Sequence, residues 1–339
     1  MGFLDFIAAS SAHTMFIKHD RSLWACGSNN FGQVGNGDSS DTLLPVAVLQ
    51  NAINVSAIGD HSMAITEDDV LWGWGDNRYG QIGDGTNQVQ TTPQRVLEDV
   101  KMVSAGRFHT LAVKNDNTLW AWGYNKYGQL MDNSKTNQLK PIKVMDNVAS
   151  VFSGKFNTFV VLMDSTLWAC GFNKYGHLGD GTTEDRPTPV MIMSDVHLVS
   201  AGIRHTVILN NKGVVFCCGD NKMFQIGNSS QSPIFTPIEI IRDCKVISTS
   251  GFHTMALKND GALLGWGCNT YYQILTDSNK YIGTPTLIKE NITAITTGEY
   301  HTIAVDGNDI VYGFGRNDHG QLGNGMISNR KSIVKIAEL

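Results

Sequence analysis

One distance governs this chain. The phrase AGRFHTLAV carries His109, and variants of it recur around His13, His61, His205, His253 and His301, with Asn157 taking the same slot in GKFNTFVV. Neighbouring members of the series are 48 residues apart. A second series keeps the same step: Gly27, Gly75, Gly123, Gly171, Gly219, Gly267 and Gly315 close the phrases LWACG, LWGWG, LWAWG, LWACG, VFCCG, LLGWG and VYGFG. Seven units of 48 account for 336 of the 339 residues without an insertion. Length alone suggests two domains. The period overrides that, because an array grows by units rather than by one core. Residues 1–339 are therefore read as one domain of seven repeats.

A single unit reads as strands. In residues 100–147, VKMVSAG ends at a glycine, HTLAVK follows, and KNDN supplies turn chemistry. TLWAWG then alternates with the period of two that marks a strand, and a long polar loop leads to the short strand PIKVM. A lone four-stranded sheet cannot cover both faces, so seven of them stack radially. The expected fold is all-β, a seven-bladed propeller with four-stranded antiparallel blades. Ile333 to Ala337 match PIKVM and Leu4 to Ser10 match the strand that should follow, so adjacent N- and C-termini close the ring. Which strands share a blade is left open by the pattern.

Regular recurrence assigns structural work to most of the conspicuous residues. A metal would need its ligands within about 2.1 Å, whereas face-packed sheets stand about 10 Å apart. The in-register histidines are thus expected to be scaffold, each bonding a backbone group in or between blades, with the Asn157 amide substituting. Asp20, Asp68, Asp116, Asp164 and Asp260 fall in the turn between two strands. All seven tryptophans lie in the LWxWG-type strand, and Cys26, Cys170 and Cys218 occupy the slot of Trp74, Trp122 and Trp266 as apolar fillers. In the loop motif N-x-x-G-Q the glycines permit positive φ, and the Asn can bond its own backbone two residues on. Met131, Phe224, Tyr272 and Leu275 replace glycines of that loop; a larger residue there needs the loop to rearrange or to expose apolar surface, and drift in a tolerant loop is the reading preferred over a binding role.

Function is bounded mostly by what is missing. A net charge of −5 and a pI near 6.0 argue against nucleic-acid and acidic-membrane partners, which would need a basic stripe. No elbow, zinc, P-loop or calcium-loop motif is present, and Gly73-Trp74-Gly75 sits inside a strand with no helix after it. The expectation is a non-enzyme with no cofactor and no metal. Scattered cysteines fit a reducing compartment. The opening MGFLDFIAAS lacks a basic n-region, so a cytoplasmic monomer is expected, secretion by a non-classical route being the alternative.

The paired signatures GxxHT-x-A-[LV] and LWAWG-x-N-x-[YF]-GQLG resemble the regulator of chromosome condensation repeat family over essentially the whole chain, and the wording KNDNTLWAWGYNKYGQL is most similar to bacterial members. The resemblance implies a seven-bladed propeller used as a binding platform. Its known uses include nucleotide exchange on a small nuclear GTPase, chromatin docking and inhibition of β-lactamases. Exchange in that family is associated with a β-wedge projecting from one blade, and equal repeat lengths leave no room for one here. Chromatin docking relies on basic flanking tails, which the chain does not show.

The informative residues are those free of the repeat pattern. The middle of each GxxH turn reads Ser11-Ala12, Asp60, Arg107-Phe108, Lys155-Phe156, Ile203-Arg204, Phe252 and Glu299-Tyr300. Equivalent turns fall on one face of a ring. Arg107, Phe108, Lys155, Phe156, Ile203, Arg204, Phe252, Glu299 and Tyr300 are the candidate partner-binding residues, because aromatics and arginine dominate protein interfaces. In the β-lactamase-inhibiting relatives, aromatics at this slot contribute the binding surface. The reading is a rigid protein-binding propeller with a protein partner; a guanine-nucleotide exchange factor, such as a secreted bacterial effector, and an inhibitor of a β-lactamase or cell-wall enzyme are the alternatives.

Overall fold

Each repeat keeps its four strands to itself. The computed structural model describes residues 6–276 and 280–339, and within them consecutive strands pair antiparallel as seven four-stranded meanders. Blade three is Val100–Ala105, His109–Lys114, Leu119–Gly123 and Gln138–Met145, and the other blades repeat it at the sequence period. The described residues contain no helix. The first strand of every blade touches the first strands of its neighbours and lines the hub, while the fourth forms the rim. Because the meander is simple, the turn after the first strand and the long loop after the third emerge on one face. The short turns emerge on the other.

The seam in sequence falls between blades. Ile7–Ala9 begins blade one and Arg330–Glu338 ends blade seven, so among the described residues no strand is exchanged to lock the ring. Closure is made by side-on packing of blade one against Ile292–Thr297 and by hydrogen bonds such as Glu299 N–H to the Ser10 carbonyl at 3.1 Å. Of the matching segment Leu4 to Ser10, Leu4 and Asp5 lie outside the described residues.

The glycine that ends each third strand has a backbone reason. Gly27, Gly75, Gly123, Gly171, Gly219, Gly267 and Gly315 all adopt φ between +96° and +115°. A Cβ on Gly123 would stand 2.6 Å from the Phe108 carbonyl oxygen, and the other six meet the equivalent carbonyl at 2.4–2.7 Å. Only glycine fits, so the strand can hug the turn that carries Arg107 and Phe108.

The histidines form a girdle. Nε2 of His13 lies 2.8 Å from Ser62 Oγ, and that of His61 lies 2.9 Å from Thr110 Oγ1. His109 reaches Thr158, His205 reaches Thr254, His253 reaches Thr302, and His301 closes the circle on Thr14, at 2.9–3.2 Å. Each of those hydroxyls donates its one proton to a main-chain carbonyl of the preceding blade's loop, as Thr110 does to Gln81 at 2.7 Å. The imidazole must therefore be the donor, which fixes the Nε2–H tautomer. The expected backbone partner is thus replaced by a hydroxyl of the next blade, which itself holds the backbone. Trp74, Trp122 and Trp266 donate to the same carbonyls at 2.9–3.0 Å. Cys26 and Cys218 reach theirs only at 3.8 and 3.9 Å. All six cysteines are buried free thiols.

Asn157 breaks the girdle. Its amide is too short to reach Thr206, and among the described residues neither its oxygen nor its nitrogen has a hydrogen-bond partner. The substitution expected to preserve the bond abolishes it, leaving the seam between blades four and five without this link. Asn157→His is expected to restore the missing donor and raise unfolding free energy by about 1 kcal/mol, as one more buried hydrogen bond would; urea denaturation of the two proteins measures it.

The loops are stiff for a different reason from the one expected. Asn125 Oδ1 accepts from the N–H of Leu130, five residues on, at 2.9 Å, and all seven repeats make this bond. The glycine-slot substitutions do not make the loop rearrange. Met131, Phe224, Tyr272 and Leu275 keep left-handed φ of 60°, 60°, 66° and 54°. Their side chains find cover instead: Met131 and Leu275 join apolar clusters, and Lys331 lies 4.7 Å over the Tyr272 ring. The turn aspartates behave as expected, Asp116 accepting from the Thr118 N–H and hydroxyl at 3.0 and 2.6 Å.

Candidate protein-binding face

The turns after the first strands circle the axis on one face, and the tips of the long loops surround them. None of the nine candidate side chains is fully exposed. Arg107, Phe108, Phe156, Ile203, Arg204, Phe252, Glu299 and Tyr300 are half-buried, and Lys155 is buried. The structure brings Phe108 and Phe156 together, with ring centroids 5.8 Å apart. Phe252 is linked to that pair only through other groups. Tyr300 stands apart, packing edge-on against Tyr271 at 5.2 Å.

What joins the rings is a set of aromatics on the loop tips. Tyr79 packs against Phe108 at 5.2 Å and Tyr124 at 4.9 Å, and Tyr127 against Phe156 at 5.8 Å and Phe172 at 5.0 Å. Phe172 meets Tyr175 at 6.0 Å, and the Arg204 guanidinium lies 4.3 Å over Tyr175 and 5.7 Å from Phe252. Aromatic rings therefore run in contact over blades two to four, and Arg204 of blade five joins them to Phe252 of blade six. A smaller one, Tyr271 with Tyr300, is capped by Arg316 at 5.6 and 5.5 Å. The loop-tip rings are not among the sequence candidates because the [YF] slot of the loop signature reads there as part of the repeat rather than as surface. The signal was there: Phe31, Tyr79, Tyr127, Tyr175 and Tyr271 share one register position.

The cations of the turns are largely engaged within the molecule. Lys155 Nζ meets Glu299 Oε1 at 3.1 Å, joining blade four to blade seven across the hub. Burial holds the Lys155 ammonium below its usual range, and Glu299 works against that shift. Arg204 lies 3.8 Å from Asp220, and Arg78 is held bidentate by Asp76 at 2.8 and 2.9 Å. Asp60 is raised, first by burial and then by Asp76. Burial, then Glu299, pushes the Tyr300 phenol up to about 12. Beneath the Lys155–Glu299 bridge the seven first strands enclose a hub cavity of about 580 Å³. Among the described residues no three His, Cys, Asp or Glu side chains converge as a metal site.

Comparison with known proteins identifies the architecture. The model of the RCC1-like domain matches residues 2–246, and that of the Regulator of chromosome condensation (RCC1) repeat matches residues 244–273, 292–321 and 260–305. No curated protein sequence matches the chain. Human WBSCR16 superposes with a TM-score of 0.82 at 17% identity, covering 93% of this chain and 94% of that one. Yeast RCC1 (Prp20), solved bound to Kap60, gives 0.80 at 20% identity, with 93% and 81% covered. Prp20p from Saccharomyces cerevisiae, described with its binding properties to Gsp1p and histones, gives 0.80 at 21% identity, with 93% and 83% covered. At such identities the likeness concerns the fold, while the family models span the chain. A seven-bladed ring of equal repeats, read by both the repeat and the domain models, makes this chain a member of the regulator of chromosome condensation repeat family.

Proposed function

We propose that the chain is a non-enzymatic propeller that binds a protein partner through the face carrying the GxxH turns and the loop tips. The observation that supports this reading is the run of half-buried rings from Tyr79 to Tyr175, which Arg204 extends to Phe252. Aromatic side chains supply large contact areas with few rotors. Here their rotamers are already restricted by their neighbours, so little entropy is left to lose on binding. The stiff loop and the glycine-tightened strand beneath them hold the platform in place.

Phe108, Phe156, Phe252 and Tyr300 changed together to Ala are expected to abolish capture of a partner from native lysate, since central aromatics each contribute about 2 kcal/mol or more to binding. The variant must first melt like wild type. A partner held equally by both proteins sinks the assignment of the face. A second reading, guanine-nucleotide exchange on a small GTPase, draws on the likeness to Prp20p, which binds Gsp1p. Accelerated nucleotide release from a captured GTPase would establish it.

A further inference from the structure

Apart from Arg107, which lies 5.2 Å from the Phe108 ring, the unpaired positive charge of this face is carried by the loop tips. Arg78, Lys126, Lys174 and Lys222 share one register position, 48 residues apart, on blades two to five. All four are exposed, each directly before a half-buried Tyr79, Tyr127, Tyr175 or Met223. In blades six, seven and one the position holds Thr270, Asp318 and Asn30. Arg78 is neutralised by Asp76. Lys126, Lys174 and Lys222 have no carboxylate partner among the described residues. Three unpaired cations thus fringe the aromatic run on one side of a molecule whose net charge is −5.

We infer that the partner contributes an acidic segment, with Asp or Glu side chains spaced by apolar ones, laid along blades two to five so that its apolar groups meet the rings and its carboxylates meet Lys126, Lys174 and Lys222. This rests on the protein-binding reading given above. An apolar centre with a charged rim is how protein interfaces are built, and complementary rim charge selects the partner and speeds its arrival. A nucleic acid would meet the same cations, but it needs free ring faces for its bases to stack on. Those faces are taken: Tyr79, Tyr127, Phe108, Phe156 and Phe172 meet one another at interplanar angles of 43–71°. The overall negative charge also opposes a polyanion at long range.

The test selects a random dodecapeptide display library on the wild-type protein. Enriched peptides are then titrated against wild type, against Lys126→Gln/Lys174→Gln/Lys222→Gln, and against the four-residue aromatic variant, with an oligothymidylate of equal charge beside them. Enriched sequences rich in Asp or Glu with apolar spacers are expected. The lysine variant should bind them about tenfold more weakly, a few-fold per exposed rim charge, and the loss should shrink at about 0.5 M salt. Enrichment of neutral or basic sequences, failure to enrich any peptide, or binding that ignores the three lysines overturns the inference. Tighter binding of the oligothymidylate through those lysines overturns it in favour of a nucleic acid. Peptides that need the rings but not the lysines refute only the acidic partner. Peptides that need neither refute the binding face as well.

Discussion

Acidifying the protein from neutrality is expected to unfold it cooperatively at about pH 5, well above the range in which carboxylates titrate. Seven buried imidazoles cause this. Burial, the leading influence on each, holds His61 down at about 4 and His13, His109, His177, His205, His253 and His301 down at about 3, against an ordinary 6.5. Between those values the unfolded chain takes up a proton that the folded one refuses. Their contribution is therefore fully present above pH 6.5 and is lost as pH falls towards the folded values. Each imidazole costs about 1.4 kcal/mol per pH unit below 6.5, so seven of them remove about 14 kcal/mol by pH 5. Whole domains have about 5–15 kcal/mol to lose. The turn carboxylates Asp20, Asp116 and Asp164 are lowered mainly by hydrogen bonds from Ser22, Thr118 and Thr166, so their contribution is lost only at more acid pH. Far-ultraviolet circular dichroism against pH measures the midpoint, and its steepness counts the protons. His177→Gln provides the control. Gln129, in the equivalent slot, accepts the Tyr127 N–H at 3.0 Å, and the change removes one titrating ring, so the midpoint should move to lower pH. A chain that stays folded down to pH 4 would contradict the buried neutral girdle.

Trp122→Ala is expected to cost about 4 kcal/mol of stability, the range for emptying a buried aromatic site. The indole is wholly buried between blades two and three among Met63, Ile65, Val103 and Ala112, and its Nε1–H donates to the Gln81 carbonyl at 2.9 Å. Gly83 lies so close that a Cβ there would stand 2.6 Å from Nε1, so the gap cannot refill from that side. Trp122→Cys should be milder, because Cys26, Cys170 and Cys218 hold this slot in other repeats. Urea unfolding of the three proteins ranks them. Equal stability of all three would show that the interblade seam does not depend on the indole.

The ring was readable from the sequence because a strict period records geometry that repeats. His109, Gly123 and Trp122 each recur since every seam between blades poses the same packing problem. Blade boundaries were not readable, as a circular pattern has no marked origin. The end of Arg330–Glu338 and the start of Ile7–Ala9 place the cut between blades. The girdle bond was half legible: its register pointed to structure, while its partner hydroxyl sits one blade away. Lys155 illustrates what a linear pattern hides. It looked like an exposed cation of the face, but the ring places Glu299 opposite it across the hub and the charge turns inward. Conversely, Lys126, Lys174 and Lys222 went unweighed although their register was plain, because an exposed loop lysine looks ordinary until the rings beside it are seen.

Amide hydrogen exchange of the protein with and without its captured partner tests the binding face most directly. Slowed exchange confined to residues 106–108, 154–156, 202–204, 250–252 and 298–300 and to the loop tips around Tyr79, Tyr127 and Tyr175 is the expected result. Protection on the opposite turns around Asp116 and Asp164, or along the rim strands, with the aromatic face unchanged, would contradict it.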